Sequence, residues 1–280
     1  MCVLSRTSRN ILILCTVVFV VFLPNTSHEL VNPVQSSSSL EEDFKRALSD
    51  EFDQGHIVYL VENLGPLRRG ESARCNSFMR TVGRDREYEL QGRKSLHLGV
   101  SYYQNNRRYF DRAEYLYGVP PEVLLGMLRI ETWFGKCAGG YNALPALFET
   151  YTIGAKSWNW FIDEARALVR YCLLKECDPN TLVSSSRGAL GFPQFLPSNF
   201  FRFAVDGDGD GDINLFSDAD AIISMANFLS SRGGWTHGIN RKQQRRAVWK
   251  YNPTYQGYVD PVFGYANAIR PLLLQTAQQN

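Results

Sequence analysis

The most constraining feature of this sequence is an apolar segment that contains a single acidic residue beyond its first turn. Val119-Pro-Pro-Glu122 is typical of a helix start, because proline fits the first turn and a carboxylate complements the positive helix end. From Val123 up to Glu131 apolar residues occupy nearly every side, which is typical of a helix buried all round. The segment predicts a central helix that stops near Gly135.

Glu131 is the residue of this helix with the clearest chemical use. Burial and the negative C-terminal end of the helix both disfavour a charged carboxyl and raise its pKa. A carboxylic acid that stays protonated near neutral pH can act as the general acid of glycosidic cleavage. Trp133 and Phe134 follow at once and are expected to wall the site. The alternative is a structural Glu bonded to an arginine or to a backbone group.

The rest of the chain has the periodicity of a mainly α protein without repeats. Hydrophobic residues at 44% and charged residues at 21% are typical of a globular protein. Strand-like alternation is scarce. Helical patterns recur at 40–64, 101–117, 158–174, 218–232, 243–251 and 261–277.

The N-terminus predicts export. Arg6 and Arg9 precede the uncharged run 11–23, which is typical of a signal peptide and short for a membrane span of roughly 20 residues. We therefore predict a signal peptide or N-terminal anchor at 1–27, with the membrane association of an uncleaved anchor as the alternative. Residues 28–50 hold a serine-rich tether, expected to extend to Leu40, and the start of the first helix. Residues 51–280 form the main domain.

The remaining cysteines and charges limit the class of protein. Removal of the leader leaves Cys75, Cys137, Cys172 and Cys177, which are compatible with disulfides of open pairing or with reduced buried thiols. Lys and Arg total 30 and Asp and Glu total 28, and two of the basic residues lie in the leader. This balance gives no reason to expect nucleic acid as a partner. We expect a monomer without an organic cofactor.

An acidic loop predicts a calcium site. Asp206, Asp208 and Asp210 occupy positions 1, 3 and 5 of an EF-hand loop, Gly211 occupies position 6, and Asp212 would offer its backbone carbonyl. Clustered carboxylates repel one another without a cation, and Ca²⁺ suits this oxygen set better than Mg²⁺. The alternative is a solvated acidic turn. The site would be structural, because nothing links it to the chemistry.

Several motifs together resemble one enzyme family. They are Val119-Pro-Pro-Glu122, Ile130-Glu131-Thr132-x-x-Gly135, Ser185-x-x-Gly-Ala-Leu-Gly-Phe-Pro-Gln194-Phe-x-Pro-Ser198, Ala204-Val205-Asp206 to Asp220-Ala221-Ile222, and Tyr251-Asn252-Pro253-Thr254. In order and spacing, over about 101–270, the chain resembles the membrane-bound lytic transglycosylase B family, glycoside hydrolase family 103. The resemblance implies a lysozyme-like catalytic core with additional helices and an EF-hand-like calcium loop.

The family resemblance also implies roles for particular residues. Glu131 would be the single acid/base, Ser185, Gln194 and Asn252 would line the glycan cleft, and Asp220 would close the calcium loop. Gln194 has a case of its own, since an amide among apolar neighbours could hold an acetamido group, orient Glu131 or bond the local backbone.

Other side chains leave alternatives open at this stage. Tyr251 and Tyr258 offer hydroxyls or ring faces to the substrate, or belong to the core. Glycosidases that use two carboxylates place the second about 5–9.5 Å from the first. Glu149, Asp163 and Glu164 are the available residues, and we interpret them as surface charges of helices.

The predicted function is a periplasmic lytic transglycosylase that acts on peptidoglycan glycan strands. It would cleave the β-1,4 bond between N-acetylmuramic acid and N-acetylglucosamine and leave 1,6-anhydromuramyl ends. Two alternatives remain: a muramidase that uses water, and a non-catalytic glycan-binding protein stabilised by calcium.

Overall fold

The computed structural model describes residues 37–62, 64, 91–253 and 257–278. The predicted leader and Cys75 lie outside these ranges. The described chain is mainly helical, as predicted, and the helices are α1 (Ser37–Leu48), α2 (Gln54–Glu62), α3 (Arg93–Tyr117), α4 (Pro121–Thr132), α5 (Ala143–Thr152), α6 (Trp158–Lys175), α7 (Pro197–Phe203), α8 (Asp218–Phe228), α9 (Arg241–Tyr251) and α10 (Val259–Gln278). A π-helix (Leu229–Gly233) continues α8, and β1 (Tyr141–Asn142) pairs antiparallel with β2 (Val183–Ser184).

Helix α4 lies at the centre of the larger apolar cluster. Pro121 occupies its first turn, and every residue from Pro121 to Arg129 is buried. It packs against α3 and α10, and side chains of α8 and α9 complete the cluster. Because the helix is buried on all sides, it needs no polar face. Glu122, in the first turn, pairs with Arg270 of α10 at 2.8 Å.

A second apolar cluster is built around α6 and includes α1, α2, α5 and α7. The rings of Phe44 in α1 and Phe161 in α6 stack with centroids 5.2 Å apart. This packing favours the helix, so α1 already begins at Ser37 and the serine-rich stretch does not form a tether up to Leu40. A turn at residues 49–53 divides the predicted helix 40–64 into α1 and α2.

Other helix boundaries differ from the predicted ones for local reasons. The pattern 218–232 continues beyond α8 as the π-helix, which is followed by Gly234 with a φ of 83°. Helices α5 and α7 were not predicted from periodicity, because their proline-containing segments are short. No helix of the described chain is long and apolar enough to cross a membrane.

The described cysteines are oxidised. Cys172 in α6 is bonded to Cys177 just beyond the helix end, which is the pairing that their closeness in sequence made available. Cys137 is also disulfide-bonded. The alternative of reduced buried thiols is therefore wrong for these cysteines.

Candidate active site

The end of α4 presents Glu131 at the edge of the core. After Thr132 the chain takes two consecutive left-handed residues, Trp133 with a φ of 53° and Phe134 with a φ of 56°. Aromatic residues seldom adopt this conformation, and such strain is concentrated at functional sites. The hydroxyl of Thr132 stabilises the turn, since it donates to the Phe192 carbonyl at 3.2 Å and accepts from the Gly135 amide at 3.1 Å.

The environment of Glu131 favours the protonated form of its carboxyl. Burial raises the pKa of Glu131 to about 7, and a hydrogen bond from the Tyr258 hydroxyl to Oε1, at 2.5 Å, lowers it in part. At neutral pH the carboxyl is therefore protonated in a large fraction of molecules. Neither influence on the pKa comes from a second carboxylate.

Two tyrosines link Glu131 to the backbone at Pro193. The rings of Tyr251 and Tyr258 are parallel to within 4°, with centroids 6.3 Å apart. The Tyr251 hydroxyl donates to the Pro193 carbonyl at 2.5 Å. Burial, and then the nearby Glu131 carboxyl, raise the pKa of both phenols well above the usual range, so that both remain donors.

Gln194 lies beside Pro193 and bonds the local backbone. Its Nε2 donates to the carbonyls of Gly191 at 2.8 Å and Ala138 at 3.1 Å. Its φ is 53°, which fits the tight turn after Gly191. The side-chain hydrogen bonds of Gln194 are thus to the local backbone, and the hydrogen bond to Glu131 comes from Tyr258. The side chain ties the loop 191–194 to the segment that follows the end of α4.

Ser185 and Asn252, the other two residues predicted to line the cleft, each follow a regular element, β2 and α9 respectively. The Ser185 hydroxyl accepts hydrogen bonds from the amides of Arg187 at 3.2 Å and Ala189 at 3.0 Å. Ser185 therefore shapes its own loop, and it follows β2 directly. Asn252 lies at the C-terminal end of α9, next to Tyr251, and is half-buried.

The interpretation of Glu164 as a surface charge is wrong. It is 4% exposed and accepts from the amide and hydroxyl of Ser198 at 2.9 and 2.8 Å, in the first turn of α7. Asp163 is exposed, as interpreted, and Glu149 is half-buried. Glu164 is therefore engaged in the α6–α7 contact, whereas Glu131 is the carboxyl that accepts a hydrogen bond from Tyr258.

The acidic loop brings together a subset of its carboxylates. Oxygens of Asp206, Asp208 and Asp220 lie within 4.8 Å of one another. The Asp206 carboxylate accepts from the amides of Gly209 and Gly211, and these bonds lower its pKa. Asp220 accepts from the amides of Gly207 and Asn214, each at 2.6 Å.

The other two acidic residues of the loop lie apart from this group. The Asp212 carboxylate pairs with Lys175 at the end of α6, which leaves only its backbone carbonyl for the role that the sequence predicted. Asp210 accepts from the amide of Asp212 at 2.8 Å. The three gathered carboxylates are hard oxygen donors of the kind that Ca²⁺ takes.

One functional contact was missed from the sequence. Tyr258 was considered for substrate contact or for the core, whereas it bonds Glu131 across a separation of 127 residues. No spacing rule links positions so far apart. The available signal was local, namely a tyrosine in the segment between the predicted helices 243–251 and 261–277.

Comparison with known structures identifies the fold as that of the lytic transglycosylases. The Escherichia coli lytic transglycosylase SLT35 in complex with calcium superposes with a TM-score of 0.68 at 22% identity, over 84% of this chain and 94% of that chain. SltB3 from Pseudomonas aeruginosa, in complex with NAG-anhNAM-pentapeptide, superposes with a TM-score of 0.66 at 17% identity, over 85% of this chain and 80% of that chain.

The chain belongs to the transglycosylase SLT domain family, whose model matches residues 77–257. It is also similar to the membrane-bound lytic murein transglycosylase B of Escherichia coli K12, at 35% identity over 140 residues. That match covers 50% of this chain and 38% of the relative, so the chain matches well under half of the relative's length.

Proposed function

We propose that this protein is a lytic transglycosylase of peptidoglycan, with Glu131 as its single acid/base. The observation that carries the proposal is one carboxyl with a pKa of about 7, at the end of a buried helix, bonded to a tyrosine rather than to a second acid. Family membership and the names of its relatives support the same reaction class.

In the proposed first step, Glu131 protonates the glycosidic oxygen between N-acetylmuramic acid and N-acetylglucosamine. The bond from that oxygen to the muramyl anomeric carbon breaks, and the N-acetylglucosamine side leaves with a free 4-hydroxyl. A protonated acid near neutral pH is the requirement for this step, and burial of Glu131 supplies it. The Tyr258 hydroxyl stabilises the carboxylate that remains.

In the second step, the Glu131 carboxylate takes the proton of the muramyl 6-hydroxyl. The oxygen of that hydroxyl bonds to the anomeric carbon and closes a 1,6-anhydro ring. Glu131 thereby regains the proton that it gave to the glycosidic oxygen, and no water is consumed. SltB3, a structural relative, was solved with an anhydro-muramyl fragment. Ser185, Gln194, Tyr251 and Asn252 would border the strand, mainly by fixing the backbone of its cleft.

We also propose a structural Ca²⁺ at the acidic loop, held by Asp206, Asp208 and Asp220 with the carbonyl of Asp212. The donor chemistry fits, because three carboxylates meet in one small volume. The complex of SLT35 with calcium supports this assignment. The ion would hold the loop against the start of α8. Residues 1–27 would export the chain to the periplasm, cleaved or retained as an anchor.

The experiment that tests the proposed acid is the Glu131→Gln variant, assayed on purified peptidoglycan. Loss of a general acid lowers the rate by about 10²–10⁴-fold. Glu164→Gln is the matched control, since it removes a buried carboxylate outside the tyrosine pair and is expected to affect folding rather than the pH dependence of the rate. Equal digestion by wild type and Glu131→Gln would remove Glu131 from the mechanism.

A further inference from the structure

The surface formed by α9 and the π-helix is strongly basic. Between Asp220 and Asp260 the sequence contains no acidic residue, although the whole chain has a net charge of only +2. The cations of this interval are Arg232, Arg241, Lys242, Arg245, Arg246 and Lys250. Positive charge is therefore concentrated on one part of a nearly neutral molecule, as expected for a surface that meets an anionic partner.

One ridge of α9 contributes a row of exposed side chains to this surface. Lys242, Arg246 and Trp249 are exposed, and their spacing of four and three residues places them in a row about 10 Å long. Lys250 donates to the carbonyl of Arg232 at 3.2 Å, which joins the π-helix to the ridge. We call Arg232, Lys242, Arg246 and Trp249 the basic face.

Among the described residues, no ion pair joins a cation of the basic face to a carboxylate. The pairs formed nearby in the fold are Arg245–Asp260 and Arg270–Glu122. Lys242 and Arg246 are like charges four residues apart on one helix, and such pairs repel one another in the free protein. An anionic ligand relieves that repulsion.

The basic face and the candidate active site share helix α9. Tyr251, its last residue, stacks on Tyr258, the partner of Glu131, whereas Trp249 is 47% exposed and, two positions earlier, projects to nearly the opposite side of the helix. The helix therefore borders the cleavage site with one side and offers the other side to an extended polymer. An exposed indole offers a flat face to a sugar ring, and the cations beside it offer partners for carboxylates.

We propose that the basic face is a second contact surface for the wall polymer, which binds carboxylate-bearing segments of the peptidoglycan outside the cleavage site. The inference rests on the proposed function for the identity of its ligand. The anionic polymer fits better than a lipid bilayer, because Trp249 is the one exposed large apolar side chain of α9. An interfacial helix inserts a broad apolar face instead.

The test measures binding without cleavage. Full-length Glu131→Gln protein is co-sedimented with insoluble peptidoglycan at low and high ionic strength, with and without the further changes Lys242→Gln and Arg246→Gln. Two exposed charge interactions are removed, so we expect roughly 2–30-fold weaker binding at low salt. The difference should shrink at high salt.

Two controls isolate the surface and the ligand group. Lys45→Gln with Arg46→Gln removes the same charge from α1, in the other apolar cluster, and should bind like the parent. Peptidoglycan whose carboxylates are blocked as amides should bind the parent and the α9 variant equally. Trp249→Ala should weaken binding at both ionic strengths.

The opposite results would overturn the inference. The first is an equal loss of peptidoglycan binding in the α1 and α9 variants. The second is a difference in binding between the parent and the α9 variant that stays the same on carboxylate-blocked peptidoglycan. The third is tighter binding to phosphatidylglycerol–phosphatidylethanolamine vesicles than to peptidoglycan. These results are separable from failure of the proposed function. Wall binding through α9 by a wild-type chain that cleaves nothing would refute the reaction and leave the contact surface standing.

Discussion

At Glu131 two influences on the pKa act in opposite directions. Burial raises the pKa of the carboxyl, and the Tyr258 hydroxyl lowers it by stabilising the charged form. The balance, at about 7, suits a group that must give a proton and then take one back. Burial was foreseeable from the apolar sequence around Glu131. The compensating phenol was not, because only the folded chain brings it within reach.

Replacement of Tyr258 by Phe tests this balance. The variant removes the hydrogen bond that lowers the Glu131 pKa, so the protonated acid should persist to higher pH. In wild type, kcat/KM should fall as the pH rises through about 7. In Tyr258→Phe the same fall should occur at higher pH, as measured by the release of soluble fragments from peptidoglycan.

Tyr251→Phe is the matched control for that experiment. Its hydroxyl bonds the Pro193 carbonyl rather than Glu131, so the pH profile should keep its position even if the rate decreases. Equal displacement of the profile in both variants, or none in Tyr258→Phe, would contradict the assigned role of the Tyr258 hydroxyl.

At the scale of elements, the close approach of α4 and α10 positions the site. A Cβ added at Gly126 would lie 2.5 Å from the carbonyl oxygen of Val262, which is too close for any real contact. Gly126 and Glu131 share α4, while Tyr258 directly precedes α10. The separation of these helices therefore governs whether Tyr258 can reach Glu131.

We expect Gly126→Ala to lower the free energy of unfolding by about 1–3 kcal/mol, the usual cost of overpacking a core. It should also slow cleavage, because the helices must separate. Gly55→Ala in α2 is the control. Only the Asp53 side chain lies near its added Cβ, at 3.2 Å, so the change should be neutral or stabilising. Denaturant unfolding of both variants measures these changes in the free energy of unfolding. An unchanged stability in Gly126→Ala would contradict the close packing of α4 on α10.

The long helices could be predicted from the sequence, whereas the short and the marginal ones could not. The patterns at 158–174 and 243–251 reappear as α6 and α9, since their apolar spacing matches the face that they bury. Helix α1 includes serines that favour a tether by composition, and only its packing on α6 makes it a helix. Local sequence does not contain that tertiary contribution.

At the scale of the whole molecule, the nearly neutral chain concentrates negative charge in the acidic loop and positive charge on the basic face. The carboxylates of Asp206 and Asp208 contribute to raising the pKa of Asp220 by repulsion, after the larger effect of burial. A cation in this cluster would relieve that repulsion and bind only the folded chain. Binding of this kind raises the stability of the native state.

Addition of Ca²⁺ to metal-free protein should therefore raise the melting temperature. The stabilisation follows the ligand concentration, at about 2.7 kcal/mol when Ca²⁺ is present at 100 times its dissociation constant. Asp208→Asn should abolish most of the increase, and Asp210→Asn, outside the gathered carboxylates, should retain it. Equal calcium responses of the two variants in a thermal melt would contradict the assigned ligands.

The chemical outcome of cleavage tests the central claim most directly. Purified peptidoglycan is digested with the wild-type chain, and the soluble fragments are weighed by mass spectrometry with and without borohydride reduction. If Glu131 acts alone and the muramyl 6-hydroxyl replaces water, as we propose, the products carry 1,6-anhydromuramyl ends, which are lighter than hydrolysis products by one water and inert to borohydride. Reducing muramic ends that gain hydrogen on treatment would contradict this proposal and identify a water-using muramidase.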